Sequence, residues 1–387
     1  MDRRLRRAAT AALLPLVAAC ATIDRAPFTA SESRAAVIAG APGVRFWADA
    51  PDAAERMRPG PRAGGGGITM LALSGGADEG AYGAGLLNGW SQSGQRPVFT
   101  IVTGVSTGAL IAPFAFLGAS GDAAIARLYT TISAKQIYRS RFPFAIPGSV
   151  SAASTKPLER LIDREITPAL INEVATAHRQ GRRLFVGTAN LDAQRMVVWD
   201  MGAIAASALP DRVSLFRRVL LTSSSIPAIF PPVPIDAVAD GRIVRELHVD
   251  GGTTAQFLSV PRQLVVEDAP APDSGRLTLY LLVNGRLGGD FRLVTPKTVP
   301  ILRRAFALNQ QSGLLSLAST SYLYARDHGV DWNLSFIGNE VAASDTLFDT
   351  AYMRRLYDYG FARGLAGGAW RKRPPEGPEQ AATGAGN

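Results

Sequence analysis

From residue 68 to residue 365 the chain alternates short apolar runs with longer segments of helical spacing. Ile68–Leu73, Phe99–Gly104, Leu184–Ala189, Met196–Trp199, Ile243–Val249 and Leu277–Val283 are aliphatic or β-branched and are bounded by Gly, Pro, Asp or Arg, which predicts strands. Ala81–Trp90, Thr107–Leu117, Asp122–Ile132, Pro157–Ile166, Ala169–Arg179, Thr298–Arg326 and Thr350–Leu365 place apolar residues at the spacing of one helix face. Strands that are apolar almost throughout have no solvent side. They predict an α/β fold with a parallel-rich central sheet and helices on both faces. No internal repeat interrupts this order.

The flanks lack such a pattern. Residues 20–66 are rich in Ala, Pro, Gly and Arg, end in the Gly64–Gly67 run, and predict a tether with at most one short element. Residues 67–366 hold the periodic segments and so the predicted catalytic domain. Residues 367–387 are Pro-, Gly- and polar-rich and predict a disordered tail. Inside the domain, Tyr138–Lys156 has no period but carries Phe142, Phe144 and Ile146, as expected of a long binding loop or lid.

Composition sharpens the picture at the N-terminus. With 387 residues, 47% of them apolar, the chain can bury a full core. Arg3, Arg4, Arg6 and Arg7 precede Ala8–Ala19, an apolar stretch too short to span a bilayer. It ends in Val17-Ala18-Ala19-Cys20, and Cys20 is the only cysteine. A lone cysteine forms no internal disulfide, and this one stands where lipidation would need it. The stretch resembles a bacterial lipobox, with residues 1–19 as signal peptide and Cys20 as the lipid-bearing terminus. Ala21, rather than Asp, after the cysteine points to the outer membrane, facing the periplasm. The formal charge is +9, of which residues 1–19 hold +3, leaving +6 beyond them. No dense basic block or basic–aromatic pattern accompanies it, which argues against nucleic acid as a partner.

The strongest chemical signal is Gly104-Val105-Ser106-Thr107-Gly108, between a predicted strand and a predicted helix. A nucleophilic serine on such a tight turn needs small flanking residues, and the helix N-terminus offers positive potential to developing charge. A second glycine-rich turn, Ser74-Gly75-Gly76-Ala77-Asp78-Glu79-Gly80, follows the first strand. It lacks the G-K-[ST] of a phosphate loop, and no acidic residue ends the next strand, so a nucleotide cofactor is not expected. No His/Cys/Asp/Glu group has metal-ligand spacing, and no metal is expected either. The serine needs a base. His178 reads as a helix-end residue, His248 lies in a strand, and His328 would complete a triad in the order Ser106, Asp250, His328. Asp250, before Gly251-Gly252, fits equally a strand-end site carboxylate and the first residue of a D-G turn.

Four blocks in order, S-G-G-A-D-E-G at 74–80, G-V-S-T-G at 104–108, S-S-S-I-P-A-I-F-P-P-V at 223–233 and D-G-G at 250–252, resemble those of the patatin-like phospholipase family. The resemblance spans roughly Ile68–Leu365 and implies a three-layer α/β/α fold and a serine acyl hydrolase of lipid esters, such as phospholipids, using a Ser–Asp dyad. Carried over by position, Ser106 is the nucleophile and Asp250 its base. Gly75, Gly76 and Ala77 would form the oxyanion hole, and residues 223–233 a wall whose turn Pro227 fixes. Ala77 replaces the family's third glycine, a change that costs little if its φ is negative. Glu79 stands where the family usually has a basic residue. With lipidated Cys20, the implied protein is a membrane-anchored hydrolase. The rivals are a histidine triad esterase and a non-catalytic envelope lipoprotein.

Overall fold

Nine strands form one mixed sheet in the computed structural model, which describes residues 23–61, 67–140, 151, 153–227, 229–270, 277–289, 293–344 and 346–376. They are β1 (Arg45–Trp47), β2 (Ile68–Leu73), β3 (Ile101–Val105), β4 (Arg183–Asn190), β5 (Arg195–Asp200), β6 (Val233–Ala239), β7 (Arg242–Asp250), β8 (Leu277–Leu282) and β9 (Asp331–Ser335). The main path runs β1-β5-β4-β3-β2-β8-β9. From β4 to β9 the pairing is parallel. The β1–β5 edge is antiparallel, and so is the β6–β7 hairpin, which joins the sheet through β7 and β4.

Strand alternation sends side chains into two cores. Leu71, Leu73, Val102, Leu184 and Val186 enter one, and Met70, Ala72, Ile101, Val105 and Phe185 the other. The first core is closed by α1 (Gly80–Gln92), α2 (Thr107–Leu117), α3 (Asp122–Thr130), α4 (Lys156–Glu165), α5 (Pro168–Arg179), α6 (Arg212–Ser223) and α8 (Thr350–Ala366). On the opposite face the long α7 (Thr298–Asp327) contributes Leu314, Ala318 and Ala325. This is the three-layer α/β/α arrangement expected. Glycines bring α1 and α8 into backbone contact: a Cβ at Gly85 would lie 2.0 Å from the Tyr357 carbonyl oxygen.

Two expectations about the flanks are corrected. Within the predicted tether, residues 23–61 pack on the domain rather than hanging free. Thr29 caps a short helix, Ala30–Ala35, through a reciprocal bond with Glu32. β1 then adds to the sheet edge and buries Val44 and Phe46. Arg45 inserts its guanidinium beside the buried carboxylate of Glu246, with Nη1 donating to Oε2 at 2.5 Å, and His248 bonds the same carboxylate. The predicted tail also begins ordered. Ala369 is buried, Trp370 packs against Trp90 and Tyr280, and Arg371 bridges to Leu334. In both places, long-range partners order segments whose local pattern is weak. Cys20 with the expected signal peptide, Phe142, Phe144 and Ile146, and residues 377–387 lie outside the described residues.

Candidate active site

Strand β3 ends at Val105, paired with Gly187 of β4. Strand β7 approaches the same edge of β4 from the other direction and ends at Asp250, paired with the next residue, Thr188. The two strands therefore abut end to end, and their next functional groups meet. Ser106 Oγ donates to Asp250 Oδ2 at 2.6 Å.

The serine sits at φ 56, ψ −124, a strained conformation for a residue with a side chain. Its surroundings explain how the turn persists. A Cβ at Gly104 would meet the Gly108 carbonyl oxygen at 2.5 Å, and one at Gly108 would meet the Leu73 carbonyl oxygen at 2.4 Å. Only glycine fits at both flanks. The Ser106 amide donates to Ser223 Oγ at 3.0 Å, and that hydroxyl donates to the Gly187 carbonyl. Ser224 Oγ donates to the Ser106 carbonyl, and the Ser225 carbonyl accepts from the Asp250 amide at 2.9 Å. The three serines hold nucleophile and base to one helix end. The Ser223–Val233 block was expected only as a wall. Ile226, Pro227 and Phe230 do line cavities there, but the positioning role of Ser223–Ser225 is legible only in three dimensions.

Asp250 is buried, and its second oxygen, Oδ1, accepts from the Gly252 amide at 2.7 Å. Burial pushes its carboxyl up to about 7, while the bonds from Ser106 and Gly252 pull the other way. A carboxylate held near neutrality is poised to accept and return a proton.

The glycine-rich turn between β2 and α1 needs two corrections. Gly75 is not a free oxyanion donor, because its amide bonds the Gln256 carbonyl at 3.1 Å. Ala77 has φ +50, left-handed, rather than the negative value that would make alanine cost little. The amides of Gly76 and Ala77 have no protein acceptor among the described residues. Gly76 is at φ +153, and a Cβ there would collide with the Asn284 carbonyl oxygen at 1.8 Å. Asn284, unnoticed in the sequence, braces the turn, its amide donating to Ser74 Oγ and its side-chain nitrogen to the Ser74 carbonyl.

No histidine completes the pair. His328 bonds the Tyr324 and Asp268 carbonyls and stacks on Tyr324 at the end of α7. His248 is buried against Thr188 and Glu246, and His178 faces Asp200. The Ser106–Asp250–His328 triad is not assembled.

Two cavities share Ser106. One is an apolar slot of 60 Å³ walled by Leu110, Phe114, Leu158, Ile162, Phe230 and Met353. The other is a cavity of 230 Å³ in which Asp250, Gln256, Glu79 and Arg286 are set among apolar groups such as Ile226 and Leu314. Glu79 forms an ion pair with Arg286, from the loop after β8, and accepts from Tyr352 Oη at 3.0 Å. Burial raises the Glu79 carboxyl, and the guanidinium opposes that rise.

Comparisons with known proteins place this geometry. Residues 71–260 match the family model described as Patatin-like phospholipase. Among solved structures, VipD from Legionella pneumophila aligns at 11% identity over 81% of this chain and 68% of its own, with a TM-score of 0.35. The type III effector protein ExoU aligns at 12% identity over 80% of this chain and 54% of its own, with a TM-score of 0.29. Similarity that low carries no argument about substrate or mechanism. A search of curated proteins returns no match. The family match supports a lipid acyl hydrolase. The segment that carries the Ser106 and Asp250 turns is therefore a patatin-like phospholipase domain match over residues 71–260.

Proposed function

We propose that the protein is a membrane-anchored serine acyl hydrolase that cleaves lipid carboxylic esters through a Ser106–Asp250 dyad. The observation that carries this reading is the 2.6 Å bond between Ser106 Oγ and the buried Asp250 carboxylate, at the junction of an apolar slot and a second cavity of mixed lining. The ester carbonyl lies over Ser106, with its acyl chain in the apolar slot. Asp250 takes the hydroxyl proton as Oγ attacks, and the oxyanion is met by the Gly76 and Ala77 amides. Collapse expels the alcohol, which takes its proton from Asp250, and leaves an acyl-enzyme. Water then attacks with Asp250 again as base, releasing the acid and restoring the serine.

The lipobox-like Val17–Cys20 supports an anchor at Cys20 in a bacterial envelope, on the periplasmic face of the outer membrane. A multiply acylated cysteine would hold the enzyme durably at its substrate surface. A fluorophosphonate probe tests the chemistry: wild type labels and Ser106→Ala does not. Failure of the folded wild type to label would remove the reading. Alkyne-palmitate labelling in cells, lost in Cys20→Ser, tests the anchor separately.

A further inference from the structure

The apolar slot that opens at Ser106 has one charged side chain among its described lining residues, Glu165. Three elements place that carboxylate at the end away from the nucleophile. On α2, Phe114 follows Ser106 by eight residues, roughly 12 Å of helix. On α6, Arg217 Nε donates to the Ile166 carbonyl at 2.9 Å, and Arg217 lies six residues, roughly 9 Å, before the Ser223 that holds the Ser106 amide. Along α4 the wall runs from Leu158 through Leu161 and Ile162 to Glu165 and Ile166. A clamp holds Glu165 there. Its Oε2 accepts from Arg127 Nη2 at 2.8 Å and its Oε1 from Arg164 Nε at 2.9 Å. The Glu165 side chain is 9% exposed, whereas those of the two arginines are 58% and 60% exposed. The carboxylate is thus the partition between the slot and two solvated guanidinium groups. Burial raises its carboxyl, but the bonds from Arg164 and Arg127 outweigh burial and hold it below the ordinary 4.5. An alkyl chain offers nothing in exchange for these charge-assisted bonds, so its methyl end stops against them. Beyond the partition lies a surface trough bordered by Tyr138, Pro157 and Arg164, and Leu161 faces both trough and slot.

We infer that Glu165, clamped by Arg127 and Arg164, is the end stop of the acyl slot and limits the acyl group of the substrate to medium length. A zigzag carbon chain advances about 1.3 Å per bond, so a depth of roughly 9–12 Å holds an acyl group of about eight to ten carbons. The inference rests on the acyl-hydrolase reading and names its acyl class. It assigns Glu165 to specificity and leaves proton transfer to Asp250.

The test follows kcat/KM of the purified protein on p-nitrophenyl butyrate, octanoate, decanoate and tetradecanoate, all dispersed in the same nonionic micelle so that presentation is equal. Wild type should be fastest on octanoate or decanoate and at least tenfold slower on tetradecanoate. Glu165→Ala removes the stop and opens the slot toward the trough, and it should raise the tetradecanoate-to-octanoate ratio at least tenfold. Glu165→Gln keeps the shape and an acceptor oxygen, and it should keep the wild-type ratio. A change that merely loosened the fold would lower all four rates together. Arg127→Ala with Arg164→Ala alters only exposed positions; it unclamps the carboxylate and should raise the ratio at least threefold even if Glu165→Ala fails to fold. Butyrate is too short to reach the stop and reports the dyad. Butyrate turnover by wild type together with tetradecanoate as fast as octanoate would overturn the inference and leave the acyl-hydrolase reading standing. An unchanged ratio in whichever of the opened variants folds would do the same. Hydrolysis of none of the esters would overturn both.

Discussion

Replacing Asp250 by Asn should destroy activity and stabilise the protein at the same time, with the stabilisation appearing only at higher pH. Asn keeps the volume of the side chain and an oxygen for the Gly252 amide, which now bonds Oδ1 at 2.7 Å. It removes the charge. Burial lifts the Asp250 carboxyl from its ordinary 3.8 to about 7. Between pH 4 and 7 the unfolded chain has therefore released this proton while the folded chain still holds it. Wild-type stability falls across that window and stays low above it, by on the order of 4 kcal/mol in total. The Asp250→Asn protein has no charge to bury there and escapes the loss. With an unfolding entropy of about 2.1 cal/mol/K per residue over the 327 described residues, that difference corresponds to a rise in Tm of roughly 6 °C at pH 8. At pH 4 the two proteins should melt together. Over the same range kcat/KM on p-nitrophenyl butyrate should fall at least 100-fold in the variant, the lower bound for loss of a general base. Wild-type kcat/KM should rise tenfold per pH unit below about 7 and level off above it. Differential scanning fluorimetry and esterase assays on one purified sample measure both effects. A variant within tenfold of wild-type activity would refute the dyad. A lower Tm than wild type at pH 8 would refute the argument that the buried carboxylate is the destabilising charge.

His328→Ala should retain kcat/KM within twofold, because the ring bonds the Tyr324 and Asp268 carbonyls at the end of α7, away from Asp250; a collapse of turnover with the fold intact would restore the triad. Ala77→Gly should gain about 1 kcal/mol in urea denaturation, since φ +50 penalises a Cβ; a clear loss of stability would show that the turn relaxes that strain. Leu110→Phe adds volume to the apolar slot one turn from Ser106 and should lower the p-nitrophenyl octanoate to acetate ratio of kcat/KM at least tenfold; an unchanged ratio would place the acyl chain elsewhere.

The strands and helices of the central layers were legible because each carries its own period. Ile68–Leu73 is a strand at the expected residues, and Thr107–Leu117 is a helix at both expected ends. The nucleophile turn was legible from its local G-x-S-x-G spacing, and the clash that Gly104 avoids is local, with Gly108 and Ala109, whereas the one that Gly108 avoids is with the distant Leu73 carbonyl. The β1 edge was not legible, because Arg45–Trp47 is three residues long and is held by β5 and by a carboxylate 201 residues away. Nor was the spent amide of Gly75, whose acceptor belongs to Gln256.

The choice of base shows where the division lies. Local sequence made Ser106 a nucleophile candidate but left Asp250 equally readable as a turn residue, and only resemblance to a family favoured it. The tertiary structure joins the two across 144 residues by ending β3 and β7 at adjacent positions of β4. Glu79 is the parallel case. In the sequence it was an acidic residue where a basic one was expected, and its partner Arg286 stands 207 residues on. Periodicity and turn chemistry act over a few residues and can be read from the chain. Strand register, amide occupancy and charge pairing depend on which distant segments share an edge or a cavity, and only the folded chain sets them.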